Sequence, residues 1–371
     1  MTAPSAERQA LDWLRAIRQP DRVLGWSLAQ WEARIRMGRR LRLLGRLAEA
    51  IEGAGLTPRV PAVVALHLLD ERRLTRWRTQ ALRWAIQRVA ADLAVGDVPR
   101  VLLKGAAYVA QALPNAAGRL PSDLDILVPR RYLHAAQAQL VAAGWEETPL
   151  DDHDRRYYHE WSHELPPMRH PMVELELDLH HNIHPPISRA KVDADLLFER
   201  AQPLQGRAWQ GWQVLHPQDQ LLHCASHLFE DSEFRNRLRD LVDFDALARS
   251  FGATPGFWDG LPERAHVLGL QADLALAVDL CCDWLDTPVP ETARRELQRH
   301  GRSPLHGVTR ALMAQALWPA PVDRESGLGA VLADQLLLVR HHLRRMPLPL
   351  LVPHLLHKWR KARQPAEQTG A

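Results

Sequence analysis

The sequence predicts an α+β protein: a small mixed sheet set between N-terminal helices and a C-terminal helical bundle. Three observations carry that expectation. The first 95 residues repeat apolar positions three and four apart, as helices do. Between about residues 97 and 215 short apolar runs alternate with short helical ones, the order expected of a mixed sheet. After His216-Pro217 the helical period returns and holds almost to the end.

Each element has its own local reason. "LAQWEARIRMGRRLRLLGRLAEAIEGAGL" keeps the helical period and ends at glycine, and "PAVVALHLLDERRLTRWRTQALRWAIQRVAADLA" is a long helix with Pro61 in its first turn. The many arginines on these helices read as their solvated face. "RVLLKG" is a short strand ending in glycine, followed by a helical "AAYVAQAL". "DLDILV" is a second strand, and "RRYLHAAQAQLVAAG" a second helix closed by Gly144. "RRYYHEW" reads as a third strand, while "VELELDLHH" shows strict period-two alternation. "PLQGRAWQGWQVL", with two glycines, reads as a hairpin leaving the sheet, and helices such as "PQDQLLHCASHLFE" and "RNRLRDLVDFDALARS" follow. The expected division is an N-terminal helical region over 1–96, an α/β core over 97–215, a helical domain over 216–362 and a disordered tail over 363–371.

Composition narrows the class. The 371 residues are 46% hydrophobic and 25% charged, ordinary for a globular protein, and long enough for a sizeable core. With 47 basic against 44 acidic residues the net charge is +3, which does not favour nucleic acid as a partner. Three cysteines, Cys224, Cys281 and Cys282, form no CxxC pair and fit a reducing cytoplasm. No apolar run reaches the length of a membrane span.

The chemistry gathers in "RLPSDLDILVPRR". Asp123 and Asp125 are two apart in an apolar strand, so they project on one face. At a separation of about 5 Å and an effective dielectric of about 20, their repulsion is roughly 3 kcal/mol. A divalent cation would offset it. On "VELELDLHH", Glu174, Glu176, Asp178 and His180 share a face; Glu174 and Glu176 read as exposed, whereas Asp178 and His180 lie at the strand end, where open sheets hold ligands. Two acids on one strand and a third on another can hold two divalent cations for an in-line phosphoryl or nucleotidyl displacement. Hard carboxylate oxygens point to Mg2+. On this reading Asp123→Asn and Asp125→Asn should each abolish turnover while leaving the fold intact or slightly stabilised.

"VLLKGAAYVAQALPNAAGRLPSDLDILV", then "VELELDLHHNI" and "LHPQDQLLHCASHL", resemble the uncharacterised bacterial nucleotidyltransferases of the polymerase-beta-like superfamily, over roughly residues 100 to 245. The resemblance implies a nucleotidyltransferase core in which Gly105 is the turn glycine, Asp123 and Asp125 are the first metal ligands, and Asp178 is the third carboxylate. It implies transfer of a nucleoside monophosphate from an NTP such as ATP to a hydroxyl-bearing acceptor (small molecule, peptide or protein), with release of pyrophosphate. The superfamily's Gly-Ser or Gly-Gly turn is Gly105-Ala106 here, and the spacer to Asp123 is longer. Lys104, Arg119 and Ser122 are the residues expected to compensate at the phosphates, and His180 to lie on the acceptor side. The alternative is a catalytically inactive nucleotide-binding or regulatory module of the same fold.

Three other features have blander readings. His223 and His227 are four apart on a helix, but "HCASH" lacks the glutamate of a metalloprotease motif, so they read as a polar pair near Asp240 or Asp243. The His-rich 153–170 segment reads either as acceptor lining or as a surface loop. "MPLPLLVPHLLHKWRKARQ" mixes apolar and basic residues like a membrane-surface helix, yet its prolines favour packing onto the bundle.

Overall fold

The computed structural model describes residues 6–93, 96–230, 234, 237–318 and 327–363. Four helices lead: α1 (Ala6–Arg18), α2 (Leu28–Arg40), α3 (Leu44–Gly53) and α4 (Ala62–Asp92). The stretch that reads as one helix from Leu28 onward is broken between α2 and α3, where Arg42 takes a left-handed φ of 54°. That break turns the chain without a glycine. It also places Arg40 and Arg42, both exposed as expected of the solvated face, along the wall of a cleft.

The sheet region runs β1 (Val101–Leu102), α5 (Lys104–Ala110), β2 (Asp123–Leu127), α6 (Leu133–Ala142), β3 (Glu146–Glu147), α7 (Asp152–Arg156), β4 (Met168–His170), β5 (Val173–His180), α8 (Asp195–Phe198), β6 (Gln202–Pro203) and β7 (Gln213–Val214). The seven strands lie in the order β3-β4-β5-β2-β1-β7-β6. β2 is parallel to β5 and antiparallel to β1, so the sheet is mixed as expected. β6 and β7 form the predicted hairpin, with Gln202 opposite Val214. α4 packs against β2 and β5. On β5 the apolar residues Val173, Leu175, Leu177 and Leu179 are buried while Glu174 is exposed and Glu176 and Asp178 are half-buried, the alternation its sequence announces.

One expected strand is a helix. "RRYYHEW" lies in α7 and a wide helical turn over Tyr157–Trp161. The Asp151 side chain caps α7 by accepting from the Asp154 N–H at 2.8 Å, and two tyrosines of high strand propensity do not outweigh that cap plus tertiary packing.

Eight helices follow: α9 (Pro217–Glu230), α10 (Leu238–Gly252), α11 (Leu261–Val267), α12 (Gln271–Leu285), α13 (Glu291–His300), α14 (His306–Ala316), α15 (Leu328–Arg345) and α16 (Leu348–Arg363). The expected tail falls, beyond Arg363, outside the described residues. One apolar core extends from Ala10 in α1 through the sheet to Leu337 in α15. A second small cluster joins Trp161 to Met346 and Leu351, with Tyr157 and Leu350 against it. The basic C-terminal helix therefore packs partly on the His-rich segment: His153 stacks on His357 with ring centroids 3.9 Å apart. Among the described residues no helix is long and apolar enough to cross a membrane.

Candidate active site

The parallel register of β2 and β5 sets Asp125 opposite Asp178, Asp123 opposite Glu176 and Leu127 opposite His180. Paired residues of adjacent strands share a face, so Asp123, Asp125 and Asp178 form one carboxylate row. The β1–α5 turn closes over it. Leu103 N–H donates to the Asp125 carbonyl at 3.1 Å, and Lys104 takes a left-handed φ of 43°. Gly105 follows, and a Cβ there would collide with the Arg119 guanidinium, which is why the turn carries a glycine.

Asp125 is the hub of the row. Only 2% exposed, it accepts from Lys104 Nζ at 2.6 Å and from His180 Nε2 at 3.0 Å. Burial alone would raise its pKa, but Lys104 and His180 together hold it well below the usual carboxylate range. Burial likewise opposes the charge on Lys104, yet Asp125 and Asp123 raise its pKa on balance. The other two acids go the opposite way. Burial, and then the Asp125 charge, raise Asp123 and push Asp178 up to about 7. Much of the repulsion inferred from the sequence is thus met by the protein's own cations at Asp125, leaving Asp123 and Asp178 short of positive charge.

Next to Asp123 opens a cleft of about 450 Å³. Arg40, Arg42, Lys104, Arg119, Arg237 and Arg239 line it, with the exposed Ser122 and the half-buried Asp123. Arg119 is 7% exposed and donates from Nε to Asp243 Oδ2 at 3.1 Å; Arg46 pairs with the other Asp243 oxygen. Asp243 therefore orients Arg119, and its charge outweighs burial to raise the arginine's pKa. Asp240 plays the same part for Arg237 (2.9 Å) and Arg239 (3.4 Å). Arg239 Nη1 is buried without a hydrogen-bond partner. The cleft is assembled from distant parts: α3 and the loop before β2 touch backbone to backbone, with Gly45 against Gly118, too close for a Cβ on either. Sequence reasoning found Lys104, Arg119 and Ser122 but missed Arg40, Arg42, Arg237 and Arg239. The arginine doublets near the ends of α2 and α10 were the available signal.

His180 lies beyond Asp125, away from bulk solvent at 1% exposure. Its Nδ1 is 3.3 Å from Glu164 Oε2. Burial lowers its pKa, but the bond to Asp125 and the charge of Glu164 raise it overall. His223 and His227 pack as a polar pair, with His227 Nδ1 3.9 Å from Asp240. They belong to neither group of potential metal ligands found among the described residues.

The row fits a hard divalent cation. Ligand atoms of Asp125, Asp178 and His180 lie within 4.8 Å of one another, the carboxylates supply oxygen donors, and burial together with the Asp125 charge works against the ionised forms of Asp123 and Asp178. A dication would remove that penalty.

No curated protein and no solved structure matches the chain. A family model does, that of an uncharacterised nucleotidyltransferase, over residues 27–286, spanning α2 through α12 and hence the whole sheet and the cleft. The chain belongs to this nucleotidyltransferase family.

Proposed function

We propose that the protein is a magnesium-dependent nucleotidyltransferase that moves a nucleoside monophosphate from an NTP to a hydroxyl-bearing acceptor and releases pyrophosphate. The observation that carries this reading is the carboxylate row placed at the rim of a six-cation cleft. A nucleoside triphosphate carries about four negative charges, and fixed arginines oriented by buried acids are suited to hold them. Arg119, Arg42 and Arg239 bind the β- and γ-phosphates, and the Ser122 hydroxyl donates from the rim. Asp123, Asp125 and Asp178 hold Mg2+, which when bound polarises the α-phosphate and lowers the pKa of the attacking hydroxyl. Asp178, beside the acceptor oxygen, accepts the acceptor's proton. The new bond joins the acceptor oxygen to the α-phosphorus; the α–β bridging bond breaks and pyrophosphate leaves with its electrons. Lys104 neutralises Asp125 until the triphosphate enters. The free thiols of Cys224, Cys281 and Cys282 accord with a cytoplasmic setting.

The test is pyrophosphate release from each NTP with Mg2+, run beside thermal melts. Mg2+ and the right triphosphate added together should raise Tm, and pyrophosphate should appear when acceptor is supplied as cell extract. A Tm shift without turnover would support an inactive binding module; no shift with any NTP would sink both readings.

A further inference from the structure

The histidine side of the row holds a second group of potential ligands that the proposed reaction does not use. We propose that His163, Glu164 and His180 bind a transition-metal dication of the zinc class beside the Asp123–Asp125–Asp178 row, with His180 at the junction of the two groups. Ligand atoms of these three residues lie within 4.8 Å of one another.

Backbone pairing holds the group in place. Glu164 and His180 are partners in an antiparallel bridge that continues β4 alongside the end of β5. Leu165 N–H donates to the Leu179 carbonyl at 2.9 Å, and His181 N–H to the His163 carbonyl at 2.8 Å. The bridge and these two bonds therefore tie the 163–165 segment to the end of β5.

The tautomer of His180 is the central observation. An ionised carboxylate can only accept, so the 3.0 Å contact to Asp125 puts a hydrogen on Nε2. That leaves Nδ1 as the ring nitrogen facing Glu164 Oε2, 3.3 Å away. Nδ1 is buried and has no hydrogen-bond partner. A carboxylate on one ring nitrogen and a metal on the other is the usual outer support of a ligating histidine. His163 brings a second ring to the group, its Nε2 3.8 Å from Glu164 Oε2. Zinc–ligand bonds of about 2.0–2.1 Å imply a ligand-to-ligand edge of about 3.3–3.4 Å in a tetrahedron. The His180–Glu164 separation has that value, and His163 needs only a small shift. Two imidazoles and one carboxylate suit zinc and its neighbours over Mg2+. Three protein ligands leave a position open for water or a substrate group.

The test needs no nucleotide, so its outcome is independent of whether transfer occurs. The full chain, stripped with chelator, is titrated with Co2+ and followed by its visible d–d bands. A single equivalent should bind, be displaced by Zn2+, and resist millimolar Mg2+. Glu164→Gln should weaken Co2+ binding at least tenfold, as should His163→Gln, whereas Asp178→Asn should change it less than threefold. Melting curves check each variant; if His163→Gln does not fold, Glu164→Gln, whose side chain is 26% exposed, carries the test. Wild type binding no more Co2+ than Glu164→Gln would overturn the proposal. So would loss of binding in Asp178→Asn with Glu164→Gln unaffected, which would place the ion in the carboxylate row.

Discussion

Arg42, Arg119, Arg237 and Arg239 lie on one flank of the β2–β5 carboxylate row, and His163, Glu164 and His180 on the other. The arginine flank is a solvent-connected cleft of permanent cations, each costly to bury without an anion. On the histidine flank Lys104, Asp125 and Glu164 surround His180, and His163 is held neutral because burial lowers its pKa. The difference teaches that one row of acids separates two kinds of ligand. On the two proposals, the first flank receives negative charge and the second holds a metal. Asp125 touches the histidine flank directly, Asp123 faces the arginines, and Asp178 lies beside both acids.

The largest expected effect falls on Asp125. Asp125→Asn should abolish turnover and also destabilise the fold by about 3 kcal/mol, because Lys104 loses its buried partner. Asp123→Asn should abolish turnover with stability unchanged or improved, since it relieves repulsion at a raised-pKa acid. Denaturant melts of the two variants separate them. The sequence alone suggests that both substitutions spare the fold; the Lys104 and His180 contacts change that expectation for Asp125. Equal stability of the two variants would erase the distinction between hub and rim.

Asp178→Asn should come next, with transfer reduced at least a hundredfold and triphosphate affinity retained, since the cleft and the Asp123–Asp125 pair remain. Titration calorimetry beside a pyrophosphate assay measures both. Affinity lost together with activity would move Asp178 to the nucleotide side of the row.

Smaller again are the arginines. Arg42→Ala and Arg239→Ala should each raise the triphosphate Km about tenfold, more at low salt than at high, with kcat changed less. Arg119→Ala should also cost stability, because Asp243 would keep only Arg46. An unchanged Km in all three would show that the cleft does not hold the phosphates.

What could be read from the sequence followed short-range patterns. Period-two alternation revealed β5, an Asp-x-Asp inside an apolar run revealed β2, and glycine after "LLK" revealed the turn over the row. The arginine cleft could not be read that way, because Arg42 and Arg239 are brought together by the close approach of Gly45 to Gly118 and by the packing of α10 on the sheet region. Nor could the hub role of Asp125: the same Asp-x-Asp spacing serves either two equivalent acids or one paired and one exposed, and only Lys104 and His180 in three dimensions decide. At 155–161 the two tyrosines of "RRYYHEW" favour a strand, but the Asp151 cap lies upstream of that stretch and the apolar contact of Trp161 with Met346 and Leu351 joins residues nearly 200 positions apart.

The smallest effect tests where the row ends. Glu176 is opposite Asp123 in register and shares its face, so by position alone it could be the third metal ligand. Its side chain, however, is in an ion pair with the solvated Arg169 and is itself partly open to solvent. Glu174 is exposed and pairs with Arg78 at 3.5 Å. Solvated pairs of this kind contribute about 0–1 kcal/mol. Glu174→Gln and Glu176→Gln should therefore leave turnover within twofold of wild type and shift stability by less than about 1 kcal/mol. The contrast with Asp178→Asn, one turn of the pleat further along the same face, is the informative measurement. Burial raises the Asp178 pKa and leaves that acid short of a cation, while Glu176 already has Arg169. A hundredfold loss in Glu176→Gln, with Asp178→Asn active, would shift the site one register step toward the start of β5 and detach it from the histidine flank.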